Sequence, residues 1–166
     1  MADPVTIQAS TESPYDFANT REGLQVALMS LFSGTLESTE ADLSKLFTPT
    51  FKHYDEDNDR VLDFAGWVKH VKWLRKILKP GCVNLKITQF LRDGNQLAER
   101  HISTTEMEVE EDVAAEGHEE NKVRKAVKKL HAAHTWQFME IAEDGRIEWI
   151  IETVKQGKSV KDGHLM

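Results

Sequence analysis

The 166-residue chain is 40% hydrophobic and 30% charged with a formal net charge of −7, the composition of one globular domain with a sizeable core. The negative balance argues against a nucleic-acid binder, which would carry a basic face. A single cysteine, Cys82, excludes an intramolecular disulfide, a CxxC zinc site and a redox pair.

Met1 to Thr11 is polar and interrupted by proline, so a single domain is expected over residues 13–156, between tails at 1–12 and 157–166. Ser13, Pro14 and Asp16 offer an N-cap, a first-turn proline and a capping acid. Phe17, Leu24, Ala27, Leu28 and Leu31 then recur at helical spacing until Gly34. Gly23 weakens that helix by roughly 1 kcal/mol against alanine, which favours an ordered start nearer Thr20. A second short helix is expected from Ser38 or Thr39, carrying Leu43, Leu46 and Phe47 and ending before Pro49. Phe51 to Asp55 reads as a short strand with Phe51, His53 and Asp55 on one face. Glu56 to Asp59 is a loop that lacks the glycine and distal glutamate of an EF-hand, so no calcium is expected there. Asp63 caps a third helix, Phe64 to Leu78, with Trp67, Val68, Val71 and Leu74 on one stripe and Lys79, Pro80 and Gly81 as its stop.

From Cys82 onward the period changes from helix to strand. Val83, Leu85, Ile87 and Leu91 lead to a turn at Asp93, Gly94 and Asn95. The partner strand, Leu97 to Val109, carries His101, Ser103, Thr105 and Met107 on the face of Leu97. An acidic stretch, Glu106 to Glu120, then meets a basic one, Lys122 to Lys129. Opposite charges across a hairpin are worth roughly 0.2–1 kcal/mol per pair and favour strand, although Val123, Val127 and Leu130 also fit a helix. Residues 114–121 are expected as a flexible loop and 122–133 as a strand. Finally His134 to Gln156 holds two apolar-aromatic runs about Glu143, Asp144, Gly145 and Arg146, the signature of a closing hairpin.

The chain has no glycine-rich phosphate loop, GxSxG elbow or HExxH motif. The seven histidines include His131 and His134, which point to opposite faces of a strand, so no metal is expected. The remaining candidates are His53, Asp55, His101, His134 and Glu148, interleaved with Trp73, Trp136 and Trp149. Histidine titrates near neutrality, and a carboxylate does so when aromatic walls desolvate it. The bland alternatives are a satisfied core histidine and ordinary tryptophan packing. Glu148 alternates with Trp149. If Ile147, Trp149 and Ile151 line a cavity, Glu148 and Glu152 belong to the surface or an interface.

The order of helices, short strand, helix and meander resembles the nuclear transport factor two-like superfamily, most closely its SnoaL-like polyketide cyclase and isomerase branch. The resemblance is carried by LSKLFTPTFKHYDED (Leu43 to Asp57), DFAGWVKHVKWL (Asp63 to Leu74), QLAERHISTT (Gln96 to Thr105) and WQFMEIAEDGRIEWIIETV (Trp136 to Val154). It implies an α+β cone, with three N-terminal helices packed in the concave face of a curved, mostly antiparallel four- to six-stranded sheet. It also implies a homodimer through the outer face of that sheet. The activity implied is cofactor-free proton transfer on a polyketide- or terpenoid-type intermediate: ring closure, isomerisation, dehydration or lactonisation. Phe51, His53 and Asp55 match the family's strand element, with His53 and Asp55 as an oriented base and His101 or His134 as the partner acid. Trp73, Trp136 and Trp149 would form the walls, with Ser103 and His70 also touching a hydrophobic small-molecule substrate. Two alternatives remain open: a scytalone-dehydratase-like dehydratase, whose paired tyrosines find no counterpart here, and a non-catalytic binding or dimerisation module. No apolar run reaches membrane-spanning length, and the N-terminus lacks a signal-peptide layout, so no membrane partner and a cytoplasmic location are expected.

Overall fold

The computed structural model describes residues 14–115 and 118–157. The expected tails therefore lie outside the described residues, apart from Gly157. After a 3-10 turn at Phe17–Asn19 come α1 (Arg21–Ser30), α2 (Thr39–Ser44), β1 (Phe47–Asp55), β2 (Arg60–Asp63) and α3 (Phe64–Ile77). The rest is strand: β3 (Val83–Asp93), β4 (Gln96–Ala115), β5 (His118–Ile141) and β6 (Ile147–Gln156). The six strands form one unclosed curved sheet in the order β2-β1-β6-β5-β4-β3, antiparallel except for the β1–β6 pair. The helices pack against this sheet, which makes the fold an α+β open cone. Among the described residues no helix is long and apolar enough to cross a membrane.

Local chemistry explains most boundaries. Thr20 accepts from the Gly23 backbone N–H, so α1 starts there rather than at Phe17. A side chain at position 23 would place its Cβ 2.5 Å from the Phe17 carbonyl oxygen, which accounts for a glycine inside the first turn. Asp63 caps α3 by accepting from Gly66 N–H at 2.8 Å. Gly145, at φ 90°, allows the closing turn, and Arg146 clamps it by donating to Asp144 and to the Ser44 carbonyl.

Two boundaries differ from the sequence reading. Phe47 opens β1 instead of ending α2, because its ring joins Phe51 and Trp67 in the core, with centroids 4.4 and 6.1 Å away. Pro49 is tolerated in that strand because the β1–β6 register shifts between Phe47 and Lys52, where a missing N–H breaks no regular ladder. The loop expected at 114–121 is mostly strand: β4 and β5 pair continuously from Gln96↔Glu140 to Ala114↔Lys122. Residues 122–133 are strand, with Lys128 bonded to Glu106 at 2.8 Å across the ribbon.

The core lies between helices and sheet, around Leu24, Leu28, Leu43, Phe47, Phe51, Val71, Leu97, Met139 and Ile150. Arg75 locks the helical layer from within. Its buried guanidinium donates to the Ser30, Leu31 and Thr35 carbonyls, to Thr39, and to Asp42 at 3.0 Å. Those contacts join the ends of α1 and α2 to α3.

Candidate active site

A cavity of about 340 Å³ opens between α1, α3 and the concave face of the sheet. Leu31, Phe32, Leu74, Leu85 and Val154 supply apolar walls, whereas His101, Gln137 and Glu152 supply polar groups on the sheet side. Strand periodicity puts them there: Glu99, His101 and Ser103 on β4, Thr135 and Gln137 on β5, and Ile150, Glu152 and Val154 on β6 face inward. Cross-strand register aligns Asp55, Glu152, Gln137 and Glu99 in one row across four strands.

Glu152 is the centre of this row. Its Oε1 lies 3.4 Å from His53 Nε2, within ion-pair distance but without hydrogen-bond geometry, and its Oε2 accepts from Gln137 Nε2. Its side chain is 21% exposed, through the cavity it lines, so a ligand can reach it. Burial alone would raise the Glu152 pKa. His53 and the Gln137 amide outweigh burial and hold the carboxyl below the ordinary glutamate value. Glu99, fully buried at the end of the row, bonds to His101 Nδ1 at 2.7 Å. Burial raises its pKa and the Glu152 charge adds to that, against the opposing pull of His101. Five buried atoms here have no hydrogen-bond partner in the protein: both His53 ring nitrogens, Trp67 Nε1, Glu99 Oε2 and Gln137 Oε1. Buried polar groups are seldom left so, which suits a polar ligand.

Above the row, aromatic rings stack outward. Trp67 lies on His53 at 4.6 Å and 21°, His70 on Trp67 at 5.4 Å, and Trp73 on His70 at 5.9 Å. Half-burial depresses the His70 pKa, with Arg60 and His53 adding to that effect.

The sequence-predicted residues therefore divide. His101, Ser103 and His70 line the cavity, and buried His53 stands directly behind Glu152. Asp55 does not orient His53: its carboxylate bonds Asn58 and Arg60 and shapes the β1–β2 turn. The expected walls Trp136 and Trp149, and the candidate acid His134, face the convex side. There Arg100 bonds His134 at 3.1 Å and covers the Trp136 ring at 5.2 Å, and Trp149 donates to Glu140. Trp73 is 54% exposed and touches the site only through His70.

Trp136 and His134 alternate with the inward Thr135 and Gln137, and for Trp149 the cause is a bulge. Ile141 pairs with Ile147 but Glu140 pairs with Trp149, which leaves Glu148 as an extra residue. Ile147 and Ile150 are both buried, so the parity of β6 flips between them and Glu152, rather than Trp149, points inward. Reading the sequence missed Glu152, Gln137, Glu99 and Trp67. The one available signal was Glu99 two residues before His101, which strand periodicity places on the same face.

A larger groove of about 510 Å³ lies on the convex face between Phe90, Leu91, Arg100, Trp136 and Phe138. Its one cation, Arg100, is already engaged by Trp136 and His134, and Glu99, which also borders it, turns its carboxyl to His101 on the concave side. The concave cavity is therefore the candidate site. Among the described residues, no group of three or more histidine, cysteine or acidic side chains is arranged to hold a metal ion.

No protein-family model matches the sequence, and no curated protein matches it significantly. The architecture matches solved structures. A protein of ketosteroid isomerase-like fold from Catenulispora acidiphila, solved with trimethylamine, aligns at a TM-score of 0.52 and 12% identity over 81% of this chain and 86% of its own. A candidate ketosteroid isomerase from Kribbella flavida aligns at 0.50 and 11% identity, over 91% and 87%. A candidate polyketide cyclase from Streptomyces antibioticus aligns at 0.49 and 12% identity, over 78% and 90%. At these identities the likeness shows the fold alone, an α+β architecture of the ketosteroid isomerase-like kind.

Proposed function

We propose that the protein is a cofactor-independent acid–base enzyme, a cyclase or isomerase acting on a neutral, largely apolar ketone of the polyketide or terpenoid type. The observation that carries this reading is Glu152. It is a carboxylate kept ionised on the inner wall of an apolar-sided cavity, with one oxygen against His53 and the other held by Gln137.

A base of this kind removes a proton from carbon next to a substrate carbonyl. The fixed amide keeps the carboxylate oriented, and apolar walls exclude the water that would otherwise solvate it. His101, in the same cavity with its ring held by Glu99, is the second group able to exchange a proton with the substrate, at Nε2. Trp67 Nε1, buried and without a protein partner, is a donor available to a carbonyl oxygen. His53 acts through Glu152 and is a positioning residue.

The test is deuterium wash-in at the α-carbon of a panel of neutral aryl and polycyclic ketones, followed by NMR in D2O. The wild-type protein is expected to exchange at least one member faster than buffer. Glu152→Gln is expected to lower that rate by about 10²–10⁴-fold, the usual contribution of a positioned base. No exchange above buffer for any member, or an unchanged rate in folded Glu152→Gln, would remove this assignment.

The convex face is proposed as the contact between two copies of the chain. The support is its exposed apolar surface, with Leu91 73%, Phe138 58% and Trp136 36% accessible on neighbouring strands.

A further inference from the structure

The row behind the cavity contains an unresolved pairing. Gln137 stands directly opposite Glu99 on one side and Glu152 on the other. Its Nε2 donates to Glu152, and a primary amide holds its oxygen and nitrogen on opposite branches, so Oε1 is turned from Glu152. Flipping the amide would set oxygen against carboxylate oxygen. Glu99 uses Oε1 for His101 Nδ1, which leaves Oε2. Gln137 Oε1 and Glu99 Oε2 are thus two buried acceptors, on directly opposed residues, and neither has a donor.

A proton shared between the two opposed residues would satisfy both. We infer that Glu99 is a neutral carboxylic acid at neutral pH, with its proton on Oε2 donated to Gln137 Oε1, so that His101, Glu99, Gln137 and Glu152 form one continuous hydrogen-bonded row. The surrounding charges agree. Glu152 across β5 opposes a second negative charge, and α1 faces the cavity with Leu28, Leu31 and Phe32. The other titratable groups turned to this space are His101 on the same strand, His53 on β1 and His70 on α3.

Two consequences follow for the site. Glu99 and Gln137 become positioning residues: the acid fixes the amide, and the amide fixes the Glu152 carboxylate. Because a neutral Glu99 accepts the His101 Nδ1–H at Oε1, the His101 ring starts as the neutral tautomer with a lone pair on Nε2. The cavity then presents two acceptors, Glu152 and His101 Nε2, and selects an uncharged ligand carrying a hydroxyl or enol O–H beside its ketone. A carboxylate ligand is disfavoured by Glu152.

This inference rests on the cavity assigned above as the site, but its test reads the carboxyl and the ring without substrate, so it fails separately from the proposed activity. The infrared spectrum of the whole protein at neutral pH is expected to show a protonated-carboxyl C=O band. That band should vanish in Glu99→Gln, which keeps a donor and an acceptor in the same places, and shift in Gln137→Leu, which removes the acceptor. In unmodified, ¹⁵N-histidine-labelled protein, NMR is expected to show His101 protonated at Nδ1 only. Absence of the band, its survival in Glu99→Gln, or an imidazolium at His101 overturns the inference.

Discussion

Glu152 shows how a single side chain is set by opposing effects of similar size. Burial favours its neutral form, yet His53 and Gln137 together hold it ionised. Glu99, two strands away on β4, goes the other way. The two carboxyls therefore contribute to stability with opposite sign. Glu152, lowered from 4.5, contributes stability above that value that is lost as pH falls through its folded pKa. Glu99, raised from 4.5, favours the folded state at low pH and loses that contribution as pH rises toward its folded pKa. Thermal melts across pH should show Glu152→Gln flattening the decline below 4.5 and Glu99→Gln flattening the decline above it. The same slopes in wild type and both variants would contradict these assignments. Of these groups, His53 and His101 were legible in the sequence as inward-facing histidines. Glu152 was not, because a one-residue bulge at Glu148 reversed the parity on which the reading depended. Asp55 misled for a different reason. Sharing a face with His53 does not bring it into contact, since the turn amide and side chain of Asn58 compete for its oxygens.

At the scale of elements, the features with local causes were the most legible. The Asp63 cap, the Gly34 stop, the Gly94 turn and the closing turn at Gly145 all follow from single residues whose chemistry acts within a turn. Asp63→Ala is expected to cost about 1 kcal/mol in denaturant unfolding, by removing the acceptor for Gly66 N–H. Arg75 is a stronger constraint with no sequence signature, since its carbonyl partners come from loop ends more than thirty residues away. Replacing it by Ala strips a buried guanidinium from four acceptors besides Asp42, and a loss of about 3–5 kcal/mol is expected. A change below 1 kcal/mol would show that these contacts do not hold the helices to one another. The length of β4 and β5 was under-read because their mixed charge favours solvated loop as much as ribbon. Only pairing one strand with the other converts that charge into register.

The whole molecule separates two surfaces that composition alone confuses. Exposed apolar side chains, Leu91, Trp136 and Phe138, lie on the convex face, whereas the concave face combines a polar row with apolar walls that include Phe32 and Trp67. The sequence suggested that tryptophans wall the cavity, since large aromatic residues usually seek the interior. Here Trp136 and Trp149 cover the outside of the sheet instead. The proposed pairing of two copies through this face is testable by light scattering. The wild-type protein should have the mass of two chains, and Phe138→Glu, which sets a charge amid exposed apolar surface, should shift it to one. A wild-type mass of one chain would rule the contact out.

The central claim is that the chemistry belongs to the concave cavity and not to the larger convex groove. It is tested most directly by measuring ketone α-deuteration in two variants side by side, Val154→Phe, which fills the cavity, and Trp136→Ala, which strips the groove. The account predicts that Val154→Phe abolishes exchange while the folded Trp136→Ala protein keeps the wild-type rate. Exchange that survives in Val154→Phe and disappears in Trp136→Ala would contradict it.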